Sequence, residues 1–255
     1  MKNFYGKRCL LLVTGASRGL GSEIARALSE KLGGGSVVVL AATNSDLLQE
    51  KCREFAQKFP EISFRSFTSR NEDATFADYE ELFDEHMKIS PDAVVVVHNA
   101  GSLGNIDSPL CGQTDGEAID RFLRANVRHP MLLSSAAISK SKAPLFLINI
   151  SSLCGIKPMK GTGLYCTAKA ARKMYFSCLA EENPGIRILQ YSPGPLDTDM
   201  MDQLRKSALD DVVAIAKVVK ESGTLLTVEQ TTSKLCEIIE EGAYESGAHL
   251  DYFDR

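Results

Sequence analysis

The chain of 255 residues has no Cys-x-x-Cys pair, no run of basic residues and no apolar stretch long enough to span a membrane. Each absence removes a class of function. Its seven cysteines (Cys9, Cys52, Cys111, Cys154, Cys166, Cys178, Cys236) are odd in number and scattered, which excludes a disulfide framework and fits reduced thiols in a cytoplasmic protein. The four histidines, His86, His98, His129 and His249, show no metal-ligand spacing, so no metal is expected. A formal charge of −4 and a pI near 5.7 give no electrostatic reason to expect nucleic acid or an anionic membrane as partner. The opening MKNFYGKRCLLLVTG carries too short an apolar run for a signal segment, and YFDR at the other end matches no targeting signal, so a cytoplasmic protein with no membrane contact is expected.

What the chain does have is alternation. CLLLV (9–13), SVVVL (36–40), AVVVV (93–97) and PLFLINI (144–150) are near-continuous apolar runs, the signature of strands buried on both faces and hence of a parallel sheet. ISFRSF (62–67) and IRILQY (186–191) are weaker strand candidates. Amphipathic stretches at 19–32, 45–58, 75–88, 115–138 and 163–182 separate them. Repeated strand–helix units imply right-handed crossovers, and so an α/β fold: a doubly wound, mostly parallel sheet of Rossmann type with helices on both faces. No linker or repeat divides residues 1–255, so one domain is expected. The segment at 197–240 leans helical without clear period and follows the sixth strand, where an insertion would cover a ligand bound beyond the strand ends.

TGASRGLG (14–21) follows the first strand and opens a helix. In that context Gly15 permits a tight turn, Gly19 lets backbone approach a pyrophosphate, Gly21 allows close packing, and free N–H groups at the helix start face an anion. The spacing G-x-x-x-G-x-G departs from the commoner dinucleotide pattern, and a plain strand-to-helix turn is the alternative. After SVVVL the chain reads Ala41-Ala42-Thr43-Asn44, with no carboxylate before Asp46 to accept from a ribose 2′-OH, while Arg18 stands in the turn itself. That charge pattern favours NADP(H).

Tyr165 and Lys169 stand four apart in GTGLYCTAKA (161–170), adjacent on one face if the stretch is helical. An ammonium beside a phenol favours the phenolate, lowering the tyrosine pKa from about 10 toward working pH and making a usable general acid. Alone, such a pair most often marks a solvated helix face.

Together these residues resemble the short-chain dehydrogenase/reductase family along the whole chain. TGASRGLG resembles its cofactor turn, with Ser17 and Leu20 included, and His98-Asn99-Ala100-Gly101 its turn after the fourth strand. Asn126, Ser152, Tyr165 and Lys169 match its catalytic tetrad in order and spacing, and Pro193-Gly194 with Leu196 and Thr198 its nicotinamide-side loop. The resemblance implies hydride transfer from NADPH to a carbonyl carbon, with Tyr165 donating the proton and Ser152 holding the oxygen. It also implies that Lys169 tunes Tyr165 and bonds the nicotinamide ribose, and that Asn126 keeps a water in the proton path. Ser151, next to Ser152, reads as a strand-end hydrogen bonder. The stretches 99–104, 149–155, 191–200 and 246–254 further resemble pterin-reducing members. That likeness implies a pterin or other dicarbonyl substrate lined by Leu153 and Gly194, with Asp251 accepting the pterin amide and amine as a bidentate pair.

Departures accompany the likeness: His98 replaces an Asn, Thr43 stands where the pterin-reducing members carry Arg, and Ser69-Arg70-Asn71 replaces the usual adenine-contacting Asp. Arg70 is then the candidate for a second 2′-phosphate contact. A general carbonyl reductase and a non-catalytic NADP sensor remain rival readings. A homodimer through 115–138 and 163–182 follows from the resemblance.

Overall fold

The computed structural model describes residues 2–254. Seven strands form one sheet: β1 Cys9–Thr14, β2 Val37–Ala42, β3 Ser63–Thr68, β4 Ala93–His98, β5 Leu145–Ile150, β6 Arg187–Ser192 and β7 His249–Asp251. Their order is β3-β2-β1-β4-β5-β6-β7 and every pairing is parallel. The order reverses between β1 and β4, the point at which open α/β sheets bind ligands beyond the strands' carboxyl ends.

The apolar runs are continuous because two layers need them. Leu11 and Val13 of β1 face α1 (Gly19–Ser29), α2 (Ser45–Lys58) and α9 (Val228–Glu241), among Ile24, Leu28, Leu48, Phe55 and Leu235. Leu10 and Leu12 face α3 (Phe76–His86), α5 (His129–Lys140) and α6 (Gly163–Glu182), among Tyr79, Phe83, Leu133 and Phe176. Each such buried aliphatic side chain contributes about 1.5–3 kcal/mol relative to exposure. Both faces of the sheet are therefore covered, as alternating side-chain direction along a strand requires.

Three elements differ from the sequence expectation. The stretch 115–138 is not one helix: α4 (Gly116–Leu123) passes through a π turn, Arg124–Arg128, into α5. Inside that turn Asn126 Nδ2 donates to the Phe122 carbonyl at 2.9 Å, competing with the backbone N–H that an α-helix would place there. The seventh strand, β7, is missing from the sequence reading because three half-buried residues carry no period. The segment 197–240 divides in two. Its last helix, α9, packs on α1 with Leu235, Cys236 and Ile239 in the core, leaving α7 (Asp199–Arg205) and α8 (Asp210–Glu221) over the strand ends.

Candidate active site

The glycine turn joins β1 to α1, and its three glycines do different work. Gly15 has φ +68°, reserved in practice for glycine, and closes the turn. A Cβ on Gly21 would stand 2.2 Å from the Gly15 carbonyl oxygen and 2.5 Å from Asn99 Nδ2, so only a hydrogen fits where α1 crosses its own turn. Gly19, with φ +56°, opens on empty space apart from the Thr198 methyl at 3.9 Å. Its backbone can approach a ligand, and the first N–H groups of α1 face the same opening, since Arg18 supplies no side-chain cap. A diphosphate fits this cradle. Ser17 and Leu20 flank it, half-buried.

Asn99 holds the turn in place. Its Nδ2 donates to the carbonyls of Thr14 (2.9 Å) and Gly15 (3.3 Å), while the N–H groups of Asn99 and Ala100 both donate to Thr14 Oγ1 at 3.0 Å. Arg18 pairs with Asp199 at the start of α7, 2.8 Å apart, and Thr198, at the N-cap position of that helix without a side-chain capping bond, lies beside Gly19. Leu196 bridges to Leu226, tying the loop after β6 to the chain before α9. Across the sheet edge the register Ala42↔Thr68 brings exposed Thr43 and Asn44 beside exposed Arg70 and half-buried Asn71, and the Ser69 N–H donates to the Ala42 carbonyl at 3.1 Å. The Asn44 side chain is occupied in capping α2, accepting from the Leu47 N–H at 3.0 Å.

Tyr165 and Lys169 do share one face of α6, and both are buried. Tyr165 packs under α7 and α8 with Leu103, Ile106, Met200, Leu204, Leu209 and Val212. Two hydrogen bonds hold those helices down, from Ser207 Oγ to the Ile106 carbonyl (2.6 Å) and from the Ala208 N–H to Asp107 Oδ1 (2.8 Å). Ser152 follows β5; its hydroxyl accepts from the Cys154 N–H at 3.2 Å and acts to lower the Tyr165 pKa. Leu153 beside it is exposed. Asn126 is spent on the opposite wall, where Oδ1 accepts from the Ser102 N–H at 2.8 Å and Nδ2 also donates to Ser102 Oγ at 3.2 Å.

The electrostatics correct the sequence reading. Burial pushes the Tyr165 phenol above its ordinary value, and Ser152 and Arg172 only partly oppose it. Lys169 donates from Nζ to the Ile150 carbonyl at 2.7 Å and lies 5.5 Å from the Tyr165 ring centroid rather than on the phenol oxygen. Burial and then the Arg172 charge hold the Lys169 pKa well below the usual lysine range. Arg172 is a second cation that acts to lower the Tyr165 pKa, and the sequence reading missed it. It is 2 % exposed, and its position three residues past Lys169 is the one signal that pointed to it. Ser151 bonds at the strand end as expected, its N–H donating to the Tyr191 carbonyl at 2.7 Å, while its buried hydroxyl has no partner. His98 is a packing residue, bonded to Ser134 Oγ at 3.0 Å with its ring on Phe176. The Cys154 thiol, pushed up to about 11 by burial, stays protonated at neutral pH.

The chain's ending reaches the same edge. Asp251 pairs in register with Ser192, and the Tyr252 N–H donates to the Ser192 carbonyl at 2.9 Å. The Phe253 ring comes so close to Gly194 that a Cβ there would stand 3.3 Å from it. Half-buried Asp251 accepts from the Phe253 N–H at 3.1 Å through Oδ1. Among the described residues, no group of three or more His, Cys, Asp or Glu could hold a metal, and no helix is long and apolar enough to cross a membrane.

Comparison with known proteins agrees with this geometry. The sepiapterin reductase of Bos taurus is 32% identical over 97% of this chain and 95% of its own length. The benzil reductase ((S)-benzoin forming) of Bacillus cereus is 26% identical over 93% of this chain and 96% of its own. A solved short chain dehydrogenase from Salmonella enterica superimposes with a TM-score of 0.80 at 23% identity, covering 100% of this chain and 99% of that one. The family model of short chain dehydrogenases matches residues 10–209, the span from β1 through Tyr165 and Lys169 to α7, so the chain belongs to the short chain dehydrogenase family of oxidoreductases.

Proposed function

We propose that this protein uses NADPH to reduce a carbonyl on the side chain of a pterin, sepiapterin being the substrate to try first. The observation that carries the reading is that the open Gly19 cradle, the Ser152–Tyr165–Lys169 group and Asp251 all lie at the carboxyl-end side of the sheet, beyond β1 and β5 and at the end of β7. The sepiapterin reductase likeness over nearly the full chain supports it.

Bound NADPH supplies a hydride to the carbonyl carbon. The chain's own residues do the rest. Gly15, Ser17, Gly19, Leu20 and Gly21 receive the diphosphate at the α1 N-terminus. Arg18, with Thr43, Asn44, Arg70 and Asn71 across the β2–β3 edge, faces the 2′-phosphate; its ion pair with Asp199 is exposed on both sides, so exchanging that carboxylate for a phosphate costs little. Leu196 and Thr198 wall the nicotinamide, Ser152 hydrogen-bonds the substrate oxygen, and Tyr165 donates its proton there. Lys169 then bonds the nicotinamide ribose and restores the proton through water held near Asn126. Helices α7 and α8 exclude bulk solvent above Tyr165.

Asp251 is the substrate anchor, with Leu153 and Gly194 beside it. Its Oδ2 is free and its Oδ1, which accepts from the Phe253 N–H, keeps a second lone pair, so the carboxylate can take an amide N–H and an exocyclic amine as a bidentate pair. Asp251→Asn should cost about 100-fold in kcat/KM with sepiapterin, by the loss of a charge-assisted pair, while leaving benzil turnover within about threefold. Equal loss on both substrates, or on neither, removes the anchor role. The benzil reductase likeness and the exposed apolar surfaces of Leu153 and Phe253 favour the second reading, a general carbonyl reductase, and that reading predicts the equal outcome.

The protein is also proposed to be cytoplasmic and to pair as a homodimer across α5 and α6, where Met174 is 63% exposed. Light scattering at micromolar concentration should give twice the 27.8 kDa chain mass; a monomer mass ends that proposal.

A further inference from the structure

Arg172 is among the largest fully buried side chains of the protein, and its hydrogen-bond acceptors are all uncharged. Nε and Nη2 donate to Asn149 Oδ1 at 3.0 and 2.6 Å, Nη2 to the His98 carbonyl at 2.6 Å, and Nη1 to the Ala100 carbonyl at 2.9 Å. Among the described residues no carboxylate forms an ion pair with it. Burying a cation without a counter-ion is expensive, and a core that needed only packing would fill the space with an aliphatic side chain.

The three acceptors sit where the site is assembled. His98 and Ala100 bracket Asn99, which staples the glycine turn. Gly101, next in the chain, faces both Asn126 Oδ1 and Arg172 Nη1, with room for a Cβ at 3.4 and 3.9 Å. Asn149 is the penultimate residue of β5, two before Ser151 and three before Ser152, and its Nδ2 ties on to Gln190 of β6 at 3.2 Å. Arg172 itself lies on α6, three residues past Lys169 and seven past Tyr165, on the same helical face. One guanidinium therefore joins the acid-bearing helix to the carboxyl ends of β4 and β5. The planar fork with donors on three nitrogens is what makes this possible; a lysine ammonium cannot reach all three acceptors in that geometry.

We propose that Arg172 is a positioning residue for the reductase chemistry, its guanidinium setting Tyr165 and Lys169 against the cofactor turn through Asn149 and the carbonyls of His98 and Ala100. The inference rests on the proposed acid role of Tyr165. The charge reaches the same groups. His98 on β4, His129 on α5, and Lys169 on α6 all have their pKa lowered, first by burial and then by Arg172. Tyr165, raised by burial and by the Cys154 and Cys166 thiols, is pulled back by Ser152 and Arg172. Arg172 is itself lowered to about 10 by burial and stays charged at neutral pH.

The test uses Arg172→Lys and Arg172→Met in the full chain, with NADPH as reductant and sepiapterin and benzil as carbonyl probes. Arg172→Lys keeps the charge and loses the fork: kcat should fall roughly tenfold, with KM for NADPH within about threefold and the alkaline limb of the pH–rate profile in place. Arg172→Met loses both: kcat should fall further, and the limb should move to higher pH, because removing a cation raises the pKa of both Lys169 and Tyr165. A lower melting temperature with wild-type kcat and an unmoved limb in both variants would show a merely structural residue and overturn the inference. Should Arg172→Met fail to fold, Arg172→Lys and Asn149→Leu decide: tenfold losses at unchanged NADPH affinity support it, and wild-type rates overturn it. Tyr165→Phe in parallel separates the two claims. Full activity there removes the proposed acid whatever Arg172 does, whereas an inert Tyr165→Phe beside wild-type Arg172 variants defeats only the positioning role.

Discussion

Tyr165→Phe should lower kcat for NADPH-driven carbonyl reduction by about 10³-fold while NADPH still binds, because the substitution removes one oxygen and the proton it donates. The residue is 9 % exposed beneath α7 and α8, and the ring, which Phe retains, makes its packing contacts with Leu103, Ile106 and Val212. The stability change should therefore be small, at most about 1 kcal/mol. Stopped-flow or steady-state absorbance of NADPH with sepiapterin reads the rate, and fluorescence titration reads the binding. Loss of turnover with binding intact also dismisses a non-catalytic NADP sensor, for which the phenol would be idle. Retained turnover would mean that the proton comes from elsewhere. The pH dependence carries a sign of its own. Burial raises the Tyr165 pKa and lowers that of Lys169, so on raising the pH Lys169 loses its proton first. The alkaline limb of the reduction belongs to Lys169, and Lys169→Met should abolish the limb along with most of the rate.

That inversion shows where sequence reading stops. The pair Tyr165–Lys169 was visible from its spacing, because a helix repeats every 3.6 residues whatever it packs against. The direction of the pKa shift was not, because it depends on what covers the pair: α7 and the residue capping α8 bring Met200, Leu204 and Leu209 against the cluster that holds Tyr165, from a segment with no clear period. The six longer strands were legible for the opposite reason. A strand such as AVVVV, buried on both sides, has no alternative to being apolar throughout, whereas β7 needs only three half-buried residues and leaves no pattern. The π turn at Arg124–Arg128 was hidden as well, since the amphipathic stripe runs on from α4 into α5 while one side chain, Asn126, diverts the hydrogen bonding. Arg172 was overlooked because an arginine on a helix is ordinarily a solvated charge; only the fold shows its acceptors closing around it.

Gly21→Ala and Gly19→Ala should fail in opposite ways, although both glycines lie in one turn. At Gly21 the added methyl would meet the Gly15 carbonyl oxygen at 2.2 Å, a backbone atom that cannot rotate aside, and Asn99 Nδ2 at 2.5 Å, which is already committed to the Thr14 and Gly15 carbonyls. Relief requires α1 to lift from the turn. Overpacking of this kind costs about 3 kcal/mol, which for a chain of this size lowers Tm by about 6–12 °C. At Gly19 the methyl meets only the Thr198 methyl at 3.9 Å, and the φ of +56° adds a strain of about 1–2 kcal/mol. Its larger effect is to occupy the opening in which the diphosphate lies against the first N–H groups of α1, so NADPH affinity should fall at least about tenfold with a modest Tm shift. Differential scanning fluorimetry with and without NADPH reads both quantities in one experiment. For Gly21→Ala the apo transition drops by the larger amount; for Gly19→Ala it drops less, by about 2–8 °C, and the NADPH-induced rise shrinks. The same loss of apo stability in both variants would mean that the turn is a structural unit alone, and the cradle at Gly19 would lose its claim to the cofactor.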